Sequence, residues 1–177
     1  MLVLTRGCDS EGPVLEVQFD VPPHSPGTPM HRHSRITERF DVLDGALSMC
    51  VNGVWRIVTA GASALVVPDE AHCYRNDSDA WVTFITELRP PHRFERFLRT
   101  WYGLANAGTS SRDGVPRNLL HLARCLHDAD FTFAVLPSLP QRIALSALVH
   151  AGTMLGAYAA LMDFDVSPVP PDMAISR

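Results

Sequence analysis

The sequence predicts a mainly β fold, a sandwich or barrel of short antiparallel strands, followed by an α-helical region. Two observations carry this expectation. Short apolar runs with alternating character, separated by proline, glycine and asparagine turns, fill the chain as far as Pro90, and beyond Pro91 the apolar period changes to a helical one.

The strands come first. Pro13 to Phe19 (PVLEVQF) alternates as a half-buried strand should, and Val21 to Pro29 (VPPHSPGTP) is too rich in proline to be helical. Ala46 to Gly61 reads as strand, Asn52-Gly53, strand. Asn-Gly between alternating runs is the strongest short hairpin signal, because a type I′ turn needs positive φ at both central residues. Ser63 to Asn76 and Ala80 to Pro90 supply two or three further strands.

The helices follow. Phe94, Phe97, Leu98, Trp101, Leu104 and Ala105 recur at helical spacing, with Gly108 as the stop. Pro116 to Asp128 reads as a second amphipathic helix with Pro116 near its start. A third, more apolar helix is expected from about Leu139 to Leu161. Its stretch Ile143 to Met162 has no formal charge and contains Gly152 and Gly156 in a GxxxG spacing. Ser146, His150 and Thr153, the alanine-rich composition and the absence of a following basic cluster favour a buried or dimer-interface helix over a membrane span. This gives three expected regions: a β-barrel over 1–90, a helical extension over 91–162 and a flexible tail over 163–177.

Composition narrows the function classes. The 177 residues suffice for one domain with a sizeable core, and 46% hydrophobic with 19% charged residues is ordinary for a globular protein. Net charge is −4 and there is no basic run, so nucleic acid is not an expected partner. The four cysteines form no CxxC pair, and the first residues lack the basic start and long apolar core of a signal peptide. Reduced thiols and a cytoplasmic location are therefore expected.

The chemistry concentrates in His31-Arg32-His33 and Glu38. On a strand, His31 and His33 share a face while Arg32 takes the other. Two imidazoles aimed at one point suggest a metal if further ligands arrive from elsewhere. His72, on a strand after the hairpin, can be brought opposite them by an antiparallel barrel. Glu38 lies five residues after His33, out of strict alternation, so the chain must bend or bulge between them. The remaining histidines, His24, His92, His121, His127 and His150, fit no such pattern.

The pattern His31-x-His33-x4-Glu38-x6-Gly45 resembles the first motif of the cupin superfamily, and Gly61-x10-His72-x3-Asn76 resembles the second. Ser25 stands where the first motif usually opens with glycine, and Val67 and Asp69 stand where the second commonly has proline and glycine. The resemblance implies a cupin-type double-stranded β-barrel, jelly-roll-like, followed by the C-terminal α-helical region. It also implies a mononuclear metal held by His31, His33, Glu38 and His72. Three imidazoles and a carboxylate suit one divalent transition metal, Fe, Mn, Ni, Cu, Co or Zn, without choosing among them, and leave positions open for substrate.

Alternation extends the site. If His72 points inward, so do Tyr74 and Asn76, and with Glu38 go Phe40 and Val42. Leu47, Met49 and Val51 form another expected inward row. Phe40, Met49 and Tyr74 then either contact substrate or simply fill the core. Glu87, on the last strand, is a candidate acid or base at the barrel mouth if the strand register turns it inward. The function these features imply is a metal-dependent enzyme acting on a small organic molecule. An oxygenase or dioxygenase comes first. A non-redox cyclase or isomerase using the metal as a Lewis acid, or a non-catalytic ligand-binding barrel, stand as alternatives. A homodimer is the expected assembly.

Overall fold

The computed structural model describes residues 1–165. Ten strands form two five-stranded sheets packed face to face: β1 (Leu2–Asp9), β2 (Gly12–Val21), β3 (His31–His33), β4 (Thr37–Asp44), β5 (Ala46–Val51), β6 (Val54–Thr59), β7 (Ser63–Val66), β8 (His72–Arg75), β9 (Val82–Arg89) and β10 (Phe131–Phe133). The first sheet runs β1-β2-β9-β4-β7 and the second β10-β3-β8-β5-β6, with every paired neighbour antiparallel.

Alternation explains most of this architecture. Along β9 every second residue, Val82, Phe84, Thr86 and Leu88, is buried, while Thr83, Ile85, Glu87 and Arg89 are partly exposed. The Asn52-Gly53 turn has φ of +50° and +83°, as a type I′ hairpin demands. Between the sheets, Phe40, Val42 and Phe84 from one meet Leu47, Met49 and Val58 from the other. A second apolar cluster joins the barrel to the helical region, combining Leu15, Val17, Ile36 and Leu88 with Phe94, Leu98 and Ala129.

Helix α1 (Phe94–Asn106) turns Phe94, Leu98 and Leu104 inward. Helix α2 (Leu119–Asp128) starts later than its sequence suggests. Asn118, not Pro116, is the N-cap, its side chain accepting from the amides of Leu120 and His121, while Pro116 bridges back to Ser110 in the preceding loop. Asp128, buried at the end of α2, accepts from Arg96 (2.8 and 2.7 Å) and from Arg124 (2.8 Å), which ties α1 to α2.

Three expectations need correction. The helical region is not a separate appendage, because β10 pairs with β3 and completes the second sheet, so the barrel draws residues from beyond position 90. The third helix, α3 (Ser138–Met154), ends before Gly156, whose φ of +65° suits glycine, and a 3-10 turn (Ala159–Leu161) follows. Gly152 is its one buried residue: among the described residues α3 packs on α2 and β10 and is otherwise largely uncovered, so within them it is not a buried helix. Finally, Met162–Asp165 forms a short helix, α4, and the rest of the expected tail lies outside the described residues. No described helix is long and apolar enough to cross a membrane.

Phe84 sits at the centre of the barrel core with no exposed surface, and it contacts the rings of Phe19, Phe40 and Tyr74. Phe84→Ala is expected to destabilise the protein by about 3 to 5 kcal/mol, read from chemical denaturation monitored by circular dichroism.

Candidate metal centre

Strand pairing converges four side chains on one point. β3 lies between β8 and β10, and His31 is the direct cross-strand partner of His72. His33 follows His31 on the same face, while Arg32 turns away and donates to the carbonyl of Ala134. After His33 the chain bends through Ser34, Arg35 and the buried Ile36, leaves the second sheet and enters the first at Thr37. The expected irregularity between His33 and Glu38 is therefore this crossover, which carries Glu38 over to face the histidines from the opposite sheet.

His31, His33, Glu38 and His72 are all buried, and one potential ligand atom from each lies within 4.8 Å of all the others. The Glu38 carboxylate is 2.9 Å from Nε2 of His72 and 3.6 Å from Nε2 of His33. Burial pushes the Glu38 carboxyl up, but the imidazoles of His33, His72 and His31 outweigh it and hold the pKa at about 2. Burial likewise favours neutral His31 and His33, whose pKa values lie below the ordinary histidine value.

The hydrogen bonds behind the imidazoles test whether a metal fits. Nδ1 of His31 donates to the carbonyl of Pro29 (2.8 Å), Nδ1 of His33 to that of Ala129 (2.8 Å), and Nδ1 of His72 to that of Glu70 (3.1 Å). With every Nδ1 proton committed outward, neutral His31 and His33 direct their Nε2 lone pairs at the cluster, whereas at His72 burial is outweighed by the Glu38 carboxylate, which raises its pKa and takes the Nε2 proton that a metal would displace. Nε2 of His33 has no hydrogen-bond partner although it is fully buried. Such an orphaned acceptor beside a carboxylate is what a divalent cation would satisfy, so the donor set fits a transition metal with three nitrogens and one oxygen.

The helical region reaches into this centre. Ala129 caps the C-terminus of α2, where helix geometry leaves carbonyls without intrahelical partners, and His33 takes one of them. The next residue, Asp130, accepts from the backbone amide (2.8 Å) and hydroxyl (3.0 Å) of Ser34. Phe131 then stacks on His31, with ring centroids 4.3 Å apart and planes 10° from parallel.

Above the cluster lies a cavity of about 430 Å³. His31 and Glu38 form part of its floor, and Phe40 and Tyr74 line its wall. Met49 does not line it. Leu47 and Met49 belong to the core between the sheets, on β5, which β8 separates from β3. Glu87 is a clearer correction. The parity of β9 turns Thr86 into the cavity and Glu87 to the outer face, where its carboxylate pairs with Arg89 at 2.8 Å. Burial, then the nearby Tyr102 and Glu38, raise the pKa of Tyr74, which keeps its phenol protonated.

Sequence reasoning missed Ala129, Asp130 and Phe131. The alternation of Phe131 and Phe133 about Thr132 is a signal for a strand, but three residues are too few to stand out between two helices.

Together the fold and the cluster define a double-stranded β-barrel with a candidate metal centre of three histidines and a glutamate. Residues 17–86 match the cupin domain family. Among solved structures, a conserved protein with a double-stranded β-helix domain from Klebsiella pneumoniae is 20% identical, covering 49% of this chain and 71% of that one at a TM-score of 0.42. A cupin 2 conserved barrel domain protein from Salinispora arenicola is 17% identical, with coverage of 49% and 71% and a TM-score of 0.41. A salicylate 1,2-dioxygenase from Pseudaminobacter salicylatoxidans is 25% identical over 42% of this chain and 21% of that one, with a TM-score of 0.40. None of the curated proteins matches the chain.

Two outcomes follow from the geometry. His72→Ala is expected to abolish stoichiometric metal binding, measured by elemental analysis of protein purified without a metal-affinity tag. Asp130→Ala, which touches no ligand but frees the segment holding the Ala129 carbonyl, is expected to weaken metal binding about 10- to 100-fold in a competitive chelator titration.

Proposed function

We propose that this protein is a metal-dependent oxygenase, of the dioxygenase type, that acts on a small organic molecule held in the cavity above the cluster. The observation that carries the reading is the pairing of a three-imidazole, one-carboxylate donor set with an enclosed, largely apolar chamber. A redox-active divalent metal held by His31, His33, Glu38 and His72 would bring an organic substrate and dioxygen together, and a dioxygenase reaction, in which both oxygen atoms enter the product, needs no separate reductant.

The rest of the chamber supports redox chemistry over acid–base chemistry. Apart from His31 and Glu38, its titratable lining residues are Tyr74, Tyr102 and Asp113. Asp113 is exposed, on the loop between α1 and α2. Among the described residues that line the chamber, no free histidine or buried second carboxylate stands ready as a general base. Tyr74 orients substrate from the barrel wall. Its phenol on the cavity wall is also the one observation that favours the second reading, a non-redox cyclase or isomerase in which the metal would act as a Lewis acid and Tyr74 would hold the substrate by a hydrogen bond.

Oxygen consumption separates the two. Protein containing near-stoichiometric iron, manganese, nickel or copper is expected to consume dioxygen when offered phenolic or enolic ring compounds, and the His72→Ala protein is expected to consume none. Full zinc occupancy with substrate turnover and no oxygen uptake would transfer the assignment to the cyclase or isomerase reading.

A further inference from the structure

The cavity above the cluster has two sources of wall. The barrel contributes Phe19, Phe40 and Tyr74, and the helical region adds Phe94, Trp101 and Phe131 among other apolar groups. Its charged lining groups are Glu38 at the floor and Asp113 at the mouth, both acidic. The chain has no lysine, and none of the arginines among the described residues lines the cavity.

Arg96 and Arg124 bind Asp128, and Arg32 donates to the Ala134 carbonyl; Arg112, next to Asp113 in the loop, does not line the cavity. An anion entering the chamber would surrender its hydration, find no countercharge along the wall and pass the Asp113 carboxylate on the way in. A divalent ion at the floor would be partly neutralised by Glu38, which leaves room there for one oxygen donor but gives nothing to a second anionic group farther out.

We infer that the site selects an uncharged, ring-bearing apolar molecule and discriminates against those whose carboxylate, sulfonate or phosphate lies away from the cluster. The volume suits a compact ring system, the aromatic side chains offer stacking and edge contacts, and the hydrogen-bonding side chains beyond the cluster and Asp113 are the uncharged Thr28, Tyr74, Thr86, Trp101 and Tyr102. Trp101 and Tyr102, both from α1, set this selectivity from the helical side of the chamber. The inference rests on the reading of this cavity as the substrate site.

Two fluorescent probes with one skeleton test it. N-phenyl-1-naphthylamine is neutral, and 8-anilino-1-naphthalenesulfonate is the same ring system carrying a sulfonate. Titrated into the full chain, both chelator-stripped and metal-loaded, the neutral probe is expected to bind one to one and at least about tenfold more tightly than the sulfonate. Trp101→Ala is expected to weaken the neutral probe several-fold. Tyr102→Arg, at a half-exposed position that tolerates a long polar side chain, is expected to narrow or reverse the preference by placing a cation at the chamber. Equal or tighter binding of the sulfonate by the folded wild-type protein would overturn the inference, as would failure of the neutral probe to bind or its indifference to both substitutions. The neutral preference in metal-free protein does not depend on turnover. Absence of oxygen uptake would remove the oxygenase reading and leave the preference standing, whereas uptake with anionic substrates would do the reverse.

Discussion

The centre depends on three backbone carbonyls that each hold the Nδ1 proton of a histidine. An imidazole with its proton on Nε2 could not offer that nitrogen to a metal, and one free to rotate would lose entropy on binding. Two of the carbonyls are local: Pro29 and Glu70 each lie two residues before the histidine they serve. The third, Ala129, is 96 residues away in sequence from His33 and belongs to the helical region. The barrel alone therefore orients two of its three imidazoles.

That division explains the buried polar groups between barrel and helices. Asp128 would be a costly charge in the interior without Arg96 and Arg124, and Asp130 would be another without Ser34. Each pair fixes the end of α2 with respect to a neighbour, Asp128 with respect to α1 and Asp130 with respect to the turn that follows His33. The apolar cluster of Leu15, Leu88, Phe94 and Ala129 supplies the burial that makes the joint stable, while the ion pairs set its register. The same joint closes the chamber, since Phe94 and Phe131 serve at once as packing and as wall.

The ligand set was legible in the sequence because alternation and spacing both act over a few residues. His31 and His33 share a face by the pleat of a strand, and the Asn52-Gly53 hairpin brings the following strands back antiparallel, which is how His72 comes opposite. Glu87 was not legible, because its side depends on the parity of β9 relative to β2 and β4, and a single residue of slip reverses it. β1 carries little burial, and β10 owes its extended form to β3 more than to its own three residues. The exposure of α3 was hidden for a related reason: an apolar composition records what a helix is able to bury, and whether a neighbour arrives to cover it is a property of the whole fold.

The distance along the chain between His33 and Ala129 also fixes when the centre can mature. During synthesis the barrel strands as far as β9 emerge first, and they can pair while α1 and α2 are still being made. In that interval β3 has an open edge and His33 lacks the acceptor that sets its tautomer. Only once residues 129–133 have left the ribosome can the second sheet gain its last strand and the imidazole its final orientation. The four residues that could hold a metal are thus all made long before the segment that orients His33, so the cluster takes its final form only after residues 129–133 have joined the fold.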